Sequence, residues 1–138
     1  MIGEDPRHVW QSMSTSVVHR SATVFAAGRV AYATALLCAP ARMATGWVGE
    51  EAARGPGTIG LRGLAGRDLL ASGGALVALR RGRPARAWML ACAVGDLTDT
   101  DATLAVTEGL PPRSRWGTVA LAGGAALVGV ALAARLDA

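Results

Sequence analysis

Arginine and aspartate recur in this chain at positions where a long apolar segment ordinarily carries no charge. Arg29 interrupts one such segment; Arg62, Arg67 and Asp68 interrupt a second; Asp96, Asp99 and Asp101 interrupt a third. Charges at membrane depth are expensive, so they turn toward one another or toward a polar cavity. A desolvated carboxyl can serve as a general acid and a paired one as a base. A guanidinium can orient carboxylates or hold an anion in its fixed fork. Acid/base isomerisation or cyclisation of a lipophilic molecule suits such residues. Asp96, Asp99 and Asp68 are the candidates for the proton chemistry. Arg29, Tyr32, Arg62 and Arg67 are the candidates for binding, with Tyr32 three residues after Arg29 and so on the same helical face.

Spacing supports a single cluster. The midpoints of the three segments fall near residues 30, 68 and 96, which puts Arg29, Arg67, Asp68, Asp96 and Asp99 within about 5 Å, one helical turn, of one plane. The second and third segments run antiparallel around an arginine-rich turn, RRGRPAR. That register sets Arg67 opposite Asp99 and Arg62 nearer Asp101, toward one end. Asp96 and Asp99 are three apart and share a face, extended by Cys92 and Thr103. Three arginines then meet four aspartates, close to neutral in sum. A purely structural network that fixes helix register is the competing role for the same residues.

The elements that must position these side chains are helices. No stretch alternates with the period of two that marks a strand. The expected fold is all-α: a four-transmembrane-helix bundle, up-down-up-down, with spans at about 21–39, 58–79, 87–106 and 117–134. The last is an apolar run without a charge, with small residues at fourfold spacing that suit close packing in lipid. Residues 1–20 form a polar, amphipathic lead. In it, Asp5-Pro6 reads as a helix start, and Val9, Trp10, Met13 and Val17 recur at helical spacing. The segments 40–57 and 107–115, rich in Gly and Pro, are expected to be loops. Trp47, Trp88 and Trp116 fall at predicted helix ends, where amphipathic rings sit at an interface.

Composition bounds the rest. The 138 residues suffice for one bundle. Hydrophobic residues make up 51%, and mean hydropathy is +0.34. Gly reaches 18, and there is one Phe, too little bulk to fill a soluble core. The net charge is +4 and the pI about 10.4, all of it from arginine. No basic face is interleaved with aromatic residues, so nucleic acid is not an expected partner. Arg80, Arg81, Arg83 and Arg86 join Arg7, Arg20 and Arg135 on one side, against Arg42, Arg54, Arg113 and Arg115 on the other. The larger count places both termini in the cytoplasm, in an inner (plasma) membrane protein. Gly60, Gly63 and Gly66 follow no strand and form no dinucleotide loop. The run Asp96-Leu-Thr-Asp99-Thr-Asp101 has carboxylates that could share a magnesium ion with a diphosphate. It is a single run inside a span, so no metal and no cofactor are expected. Cys38 and Cys92 differ in depth by about 18 Å, too far for a disulfide.

Three stretches, "APARMATGWVG", "GLRGLAGRDLLASGGALVALRRGR" and "ACAVGDLTDTDATL", resemble a family of small four-helix integral membrane proteins of bacteria and fungi whose function is undefined. The similarity spans roughly residues 28–134. Its most specific part is Gly66, Arg67 and Asp68, followed by Gly95-Asp96 and Asp99. The resemblance implies four spans and a retained Arg/Asp set, and brings no activity with it. The resulting expectation is a membrane protein that binds, and converts by acid/base chemistry, a lipophilic small molecule. The alternative is a non-catalytic accessory or structural subunit of a larger membrane complex. The lipid bilayer is the expected surrounding in both, with homo-oligomerisation left open.

Overall fold

The computed structural model describes residues 6–52, 55–106, 110 and 112–136; the side chains of residues 6–14, 48, 51 and 52 lie outside the description. Among the described residues the protein is all-helical, with five helices and no strand: α1 (Pro6–Cys38), α2 (Pro40–Ala52), α3 (Gly57–Arg80), α4 (Arg86–Ala105) and α5 (Pro112–Leu136).

The boundaries follow local chemistry. Pro6 and Pro112 open α1 and α5 at a position where a missing N–H costs nothing. Pro40 also opens a helix. The main chain runs almost continuously from α1 into α2, with Ala39 N–H donating to the Ala35 carbonyl and Met43 N–H to that of Ala39. Segment 40–57, expected to be a loop, is therefore largely helical, and Gly49 at φ 85° supplies the kink inside it. The α3–α4 turn is closed by Gly82 at φ 61°. There Gly82 N–H donates to the Leu79 carbonyl (3.2 Å) and Arg83 N–H to that of Ala78 (2.9 Å). This paired arrangement satisfies the last carbonyls of a helix and stops it sharply.

The long helices alternate in direction. At one end Ala22 and Ala26 of α1, Ala75, Ala78 and Leu79 of α3, Ala85 and Met89 before and in α4, and Ala133 of α5 form one buried apolar cluster. At the other end Leu36, Ala44, Leu61 and Ala65 form a second, which α2 caps with Trp47. α4 packs most extensively on α5, and α1 on α3. Small residues make this possible: a Cβ on Gly129 would lie 3.4 Å from Ala93 Cβ, and one on Gly74 would fall inside the indole of Trp88.

Two expectations change. Lead and first span are one helix, α1, of 33 residues, about 50 Å long at 1.5 Å per residue. The break expected at residue 20 is absent because Thr15–Thr23 offers neither Gly nor Pro. The side chains of Val9, Trp10 and Met13, and the cap at Asp5, lie outside the described residues. Secondly, two helical stretches, Thr15–Cys38 and Pro112–Leu136, are long and apolar enough to cross a membrane. By the same measure α3 and α4 fall short of the expected four spans, because their charges lie mid-helix.

Candidate functional site

Between the two apolar clusters lies a continuous chain of ion pairs contributed by α1, α3 and α4. Arg29 Nη1 donates to Asp96 Oδ2 at 2.7 Å. Its Nη2 stands 3.8 Å from Asp68 Oδ2. Arg67 donates through Nε (3.0 Å) and Nη2 (2.9 Å) to Asp68 Oδ1. It also grips Asp99 with both ends of its fork, Nη1 to Oδ1 at 3.2 Å and Nη2 to Oδ2 at 2.8 Å. The order Asp96–Arg29–Asp68–Arg67–Asp99 alternates in sign, two guanidinium groups against three carboxylates. Bidentate forks of this kind fix geometry as well as adding energy.

The pairs are sheltered. Asp96 is 5% exposed, and the side chains of Arg29 and Asp68 are 13% exposed each. Arg67 is the most open member, yet its planar head lies over Gly95, where a Cβ would come within 3.2 Å of its Cζ. Gly95 thus lets the guanidinium slide between α3 and α4 to reach Asp99. Hydroxyl groups beside the cluster are satisfied on their own helices. Ser72 donates to the carbonyl of Asp68, Thr100 to that of Asp96 (2.8 Å) and Thr103 to that of Asp99 (2.7 Å). Arg29 Nε is buried without an acceptor among the described residues, and its guanidinium lies 5.7 Å from the ring centre of Phe25.

The cluster forms one wall of a cleft of about 730 Å³ between α1 and α5. Arg29, Asp68, Asp96 and Asp99 reach its surface. Most of the rest is apolar or small, Val24, Phe25 and Gly28 from α1, Leu64 from α3, and Gly117, Leu121, Ala122 and Ala125 from α5, joined by the hydroxyl-bearing Tyr32 and Thr118. Trp47 and Gly46 of α2, with Arg113 and Ser114, border its far end. From Ser114 to Ala125 the cleft follows α5 for about 17 Å.

Five residues expected at the site converge as a chain, Arg29, Arg67, Asp68, Asp96 and Asp99, and Tyr32 stands on the same cleft. The register that set Arg67 opposite Asp99 matches the geometry. Arg62 does not join them: it is exposed on α3, and so is Asp101 on α4. Arg62 lies five residues before Arg67, about 140° away around a helix of 3.6 residues per turn, so the two cannot face the same neighbour. The close pair Arg29–Asp96 was not anticipated; it spans α1 and α4, which do not pack on each other, so the long arginine side chain reaches across the bundle. A cleft lined by Arg29, Tyr32, Arg62, Arg67, Asp68, Asp96 and Asp99 is the expected site; Arg62 and Arg67 do not line the observed one, and its border of Trp47, Arg113 and Ser114 was missed.

Among the described residues no group of three or more His, Cys, Asp or Glu side chains is arranged to hold a metal ion. The three aspartates are separated by the guanidinium groups that bridge them. Both cysteines are free, Cys38 exposed and Cys92 buried. Comparison with family models, with curated proteins and with solved structures gives no match for this chain.

Proposed function

We propose that this protein spans the membrane four times and binds a lipophilic small molecule in the cleft between α1 and α5. Its polar group docks on the Arg/Asp chain. Asp96, Asp99 and Asp68 supply the proton donors and acceptors for an isomerisation- or cyclisation-type conversion. The observation that carries this reading is the meeting of an alternating ion-pair chain with an apolar cleft.

The membrane part rests on what faces outward. In the two apolar helices only 22% and 17% of the spanning window is buried, unlike the core helix of a soluble bundle. The charged helices behave alike once their inward charges are paired. α3 turns Ile59, Leu70 and Val77 outward, and α4 turns Leu90, Val94 and Leu97 outward. The exposed Arg62 and Asp101 sit near the α2 end, where a long or terminal charge reaches the headgroups. The arginine excess around the α3–α4 turn then puts both termini in the cytoplasm. Kinship with the small four-helix family belongs to the same proposal and rests on the Gly66-Arg67-Asp68 and Gly95-Asp96 stretches.

The test is to extract the protein with its surrounding lipid and identify what travels with it by mass spectrometry. A distinct lipophile is expected with the wild type and at least tenfold less with Ala125→Trp, which fills the cleft without touching the ion pairs. An unchanged profile removes the cleft as a binding site. Conversion is read by comparing the wild type with Asp99→Asn: an enzyme yields different molecules in the two, a binding protein the same ones.

A further inference from the structure

We propose that the occupant of this cleft is a hydrophobic organic cation and that Asp68 is its counter-charge. The inference rests on the cleft being a binding site for a lipophile and adds the class of that lipophile.

Three observations converge. The ion-pair chain is unbalanced, with Arg29 and Arg67 against Asp68, Asp96 and Asp99. Two of its pairs are complete by themselves: Arg29 with Asp96 at 2.7 Å, and Arg67 with both oxygens of Asp99. Asp68 shares each of its two arginines with another carboxylate, Arg67 with Asp99 and Arg29 with Asp96. Its Oδ1 is held by Arg67, while its Oδ2 has only Arg29 at 3.8 Å. In a medium of low dielectric an uncompensated charge of this kind calls for a partner.

The second observation is where the surplus lies. The cleft surface receives all three carboxylates and Arg29, whereas Arg67 lies behind it. The one further cation on the lining, Arg113, stands ten residues before Gly123, the level at which α5 meets Thr100. Ten residues of helix are about 15 Å, so Arg113 leaves the negative wall uncompensated.

The third is the aromatic lining. The chain has a single Phe, a single Tyr and four Trp, and Phe25, Tyr32 and Trp47 all border this one cleft. Ring faces attract cations, and quaternary or hydrophobic ammonium groups are bound in such settings. Phe25 already has the guanidinium of Arg29 near its ring, which leaves Tyr32 for the cationic centre of the occupant, with Trp47 at the far end of the cleft for its apolar part. An anionic lipophile would meet carboxylates instead.

The experiment uses the full chain in detergent, with binding followed by equilibrium dialysis. Three probes of similar size differ in charge: tetraphenylphosphonium, tetraphenylborate and neutral triphenylmethane. Tetraphenylphosphonium is expected to bind saturably, one per chain, and at least tenfold more tightly than tetraphenylborate. Asp68→Asn, checked for fold by circular dichroism and gel filtration, is expected to lose at least tenfold of that affinity and to keep its affinity for triphenylmethane. Equal binding of phosphonium and borate, or a folded Asp68→Asn that binds phosphonium as the wild type does, overturns the proposal. If that variant does not fold, the phosphonium-to-borate ratio of the wild type decides alone. Binding of triphenylmethane with no preference for the cation overturns the charge assignment and leaves the cleft standing. Binding of none of the three removes both.

Discussion

Helix α5 has two flanks built from the same small residues, and they do opposite things. Against α4 the flank is closed: Ala126, Gly129 and Ala133 are buried, with Gly129 directly over Ala93 and Met89. Against α1 the flank is open: Gly117, Ala122 and Ala125 face Gly28 and Val24 across a cleft of about 730 Å³. Small residues allow close approach but do not enforce it. What holds the two apart is the neighbouring layer. On the α4 side nothing stands between the backbones. On the α1 side, Phe25, Arg29 and Tyr32 project into the gap, and Arg29 is drawn to Asp96 and Asp68 beneath it. The ion pairs thus keep a seam open that apolar packing alone would shut.

The largest effect should come from removing the tie itself. Asp96→Ala strands the Arg29 guanidinium with only the 3.8 Å contact to Asp68. Breaking one partner of a sheltered pair costs about 3–5 kcal/mol. Denaturant-driven unfolding in detergent, followed by circular dichroism, measures it, and a loss under about 1 kcal/mol would mean the pair does not hold the seam. Next comes the closed seam. Gly129→Val forces a branched side chain against Ala93 and the Met89 carbonyl, and overpacking of this kind costs about 1–3 kcal/mol. The same unfolding transition reports it.

The matching change on the open seam should behave differently. A Cβ at Gly28 meets no atom within 4 Å, and Gly28→Val removes a helix glycine, so stability should rise by up to about 0.5 kcal/mol, while retention of the lipophile falls at least tenfold. Loss of stability would show that the cleft closes in solution. Smallest of all is Arg62→Ala. Its side chain is exposed on α3, and both stability, within about 0.5 kcal/mol, and ligand retention should be unchanged. A strong effect on retention would return Arg62 to the site.

The same comparison explains what could be read in the sequence. The bounds of α3 and α4 were legible to within one residue because they are set by local chemistry: an apolar run, a charged turn and Gly82. The pair Arg67–Asp99 was legible because a tight turn fixes the register of two adjacent helices. Arg62 was misplaced because depth was counted and angle was not; side chains five apart on a helix diverge. Helix α2 was hidden by Pro40 and its glycines, which mark turns in general, but Pro40 opens a helix here and only Gly49 takes an unusual conformation. The pair Arg29–Asp96 and the place of the cleft between α1 and α5 depend on how the helices are arranged around the bundle, and no local pattern encodes that. Both α5 seams draw on one small-residue pattern, so composition could not say which would close.

The central claim is that the Arg/Asp chain faces a cleft open to lipid. A nitroxide attached at position 121, whose leucine is 72% exposed at the edge of the cleft, in a chain whose two cysteines are replaced by serine and which is reconstituted into liposomes, tests it most directly. Collision rates with oxygen, which concentrates in lipid, should exceed those with a water-soluble nickel chelate. Adding tetraphenylphosphonium should then lower the oxygen collisions. If the chelate collides as freely as oxygen, the cleft opens to water and the account is wrong.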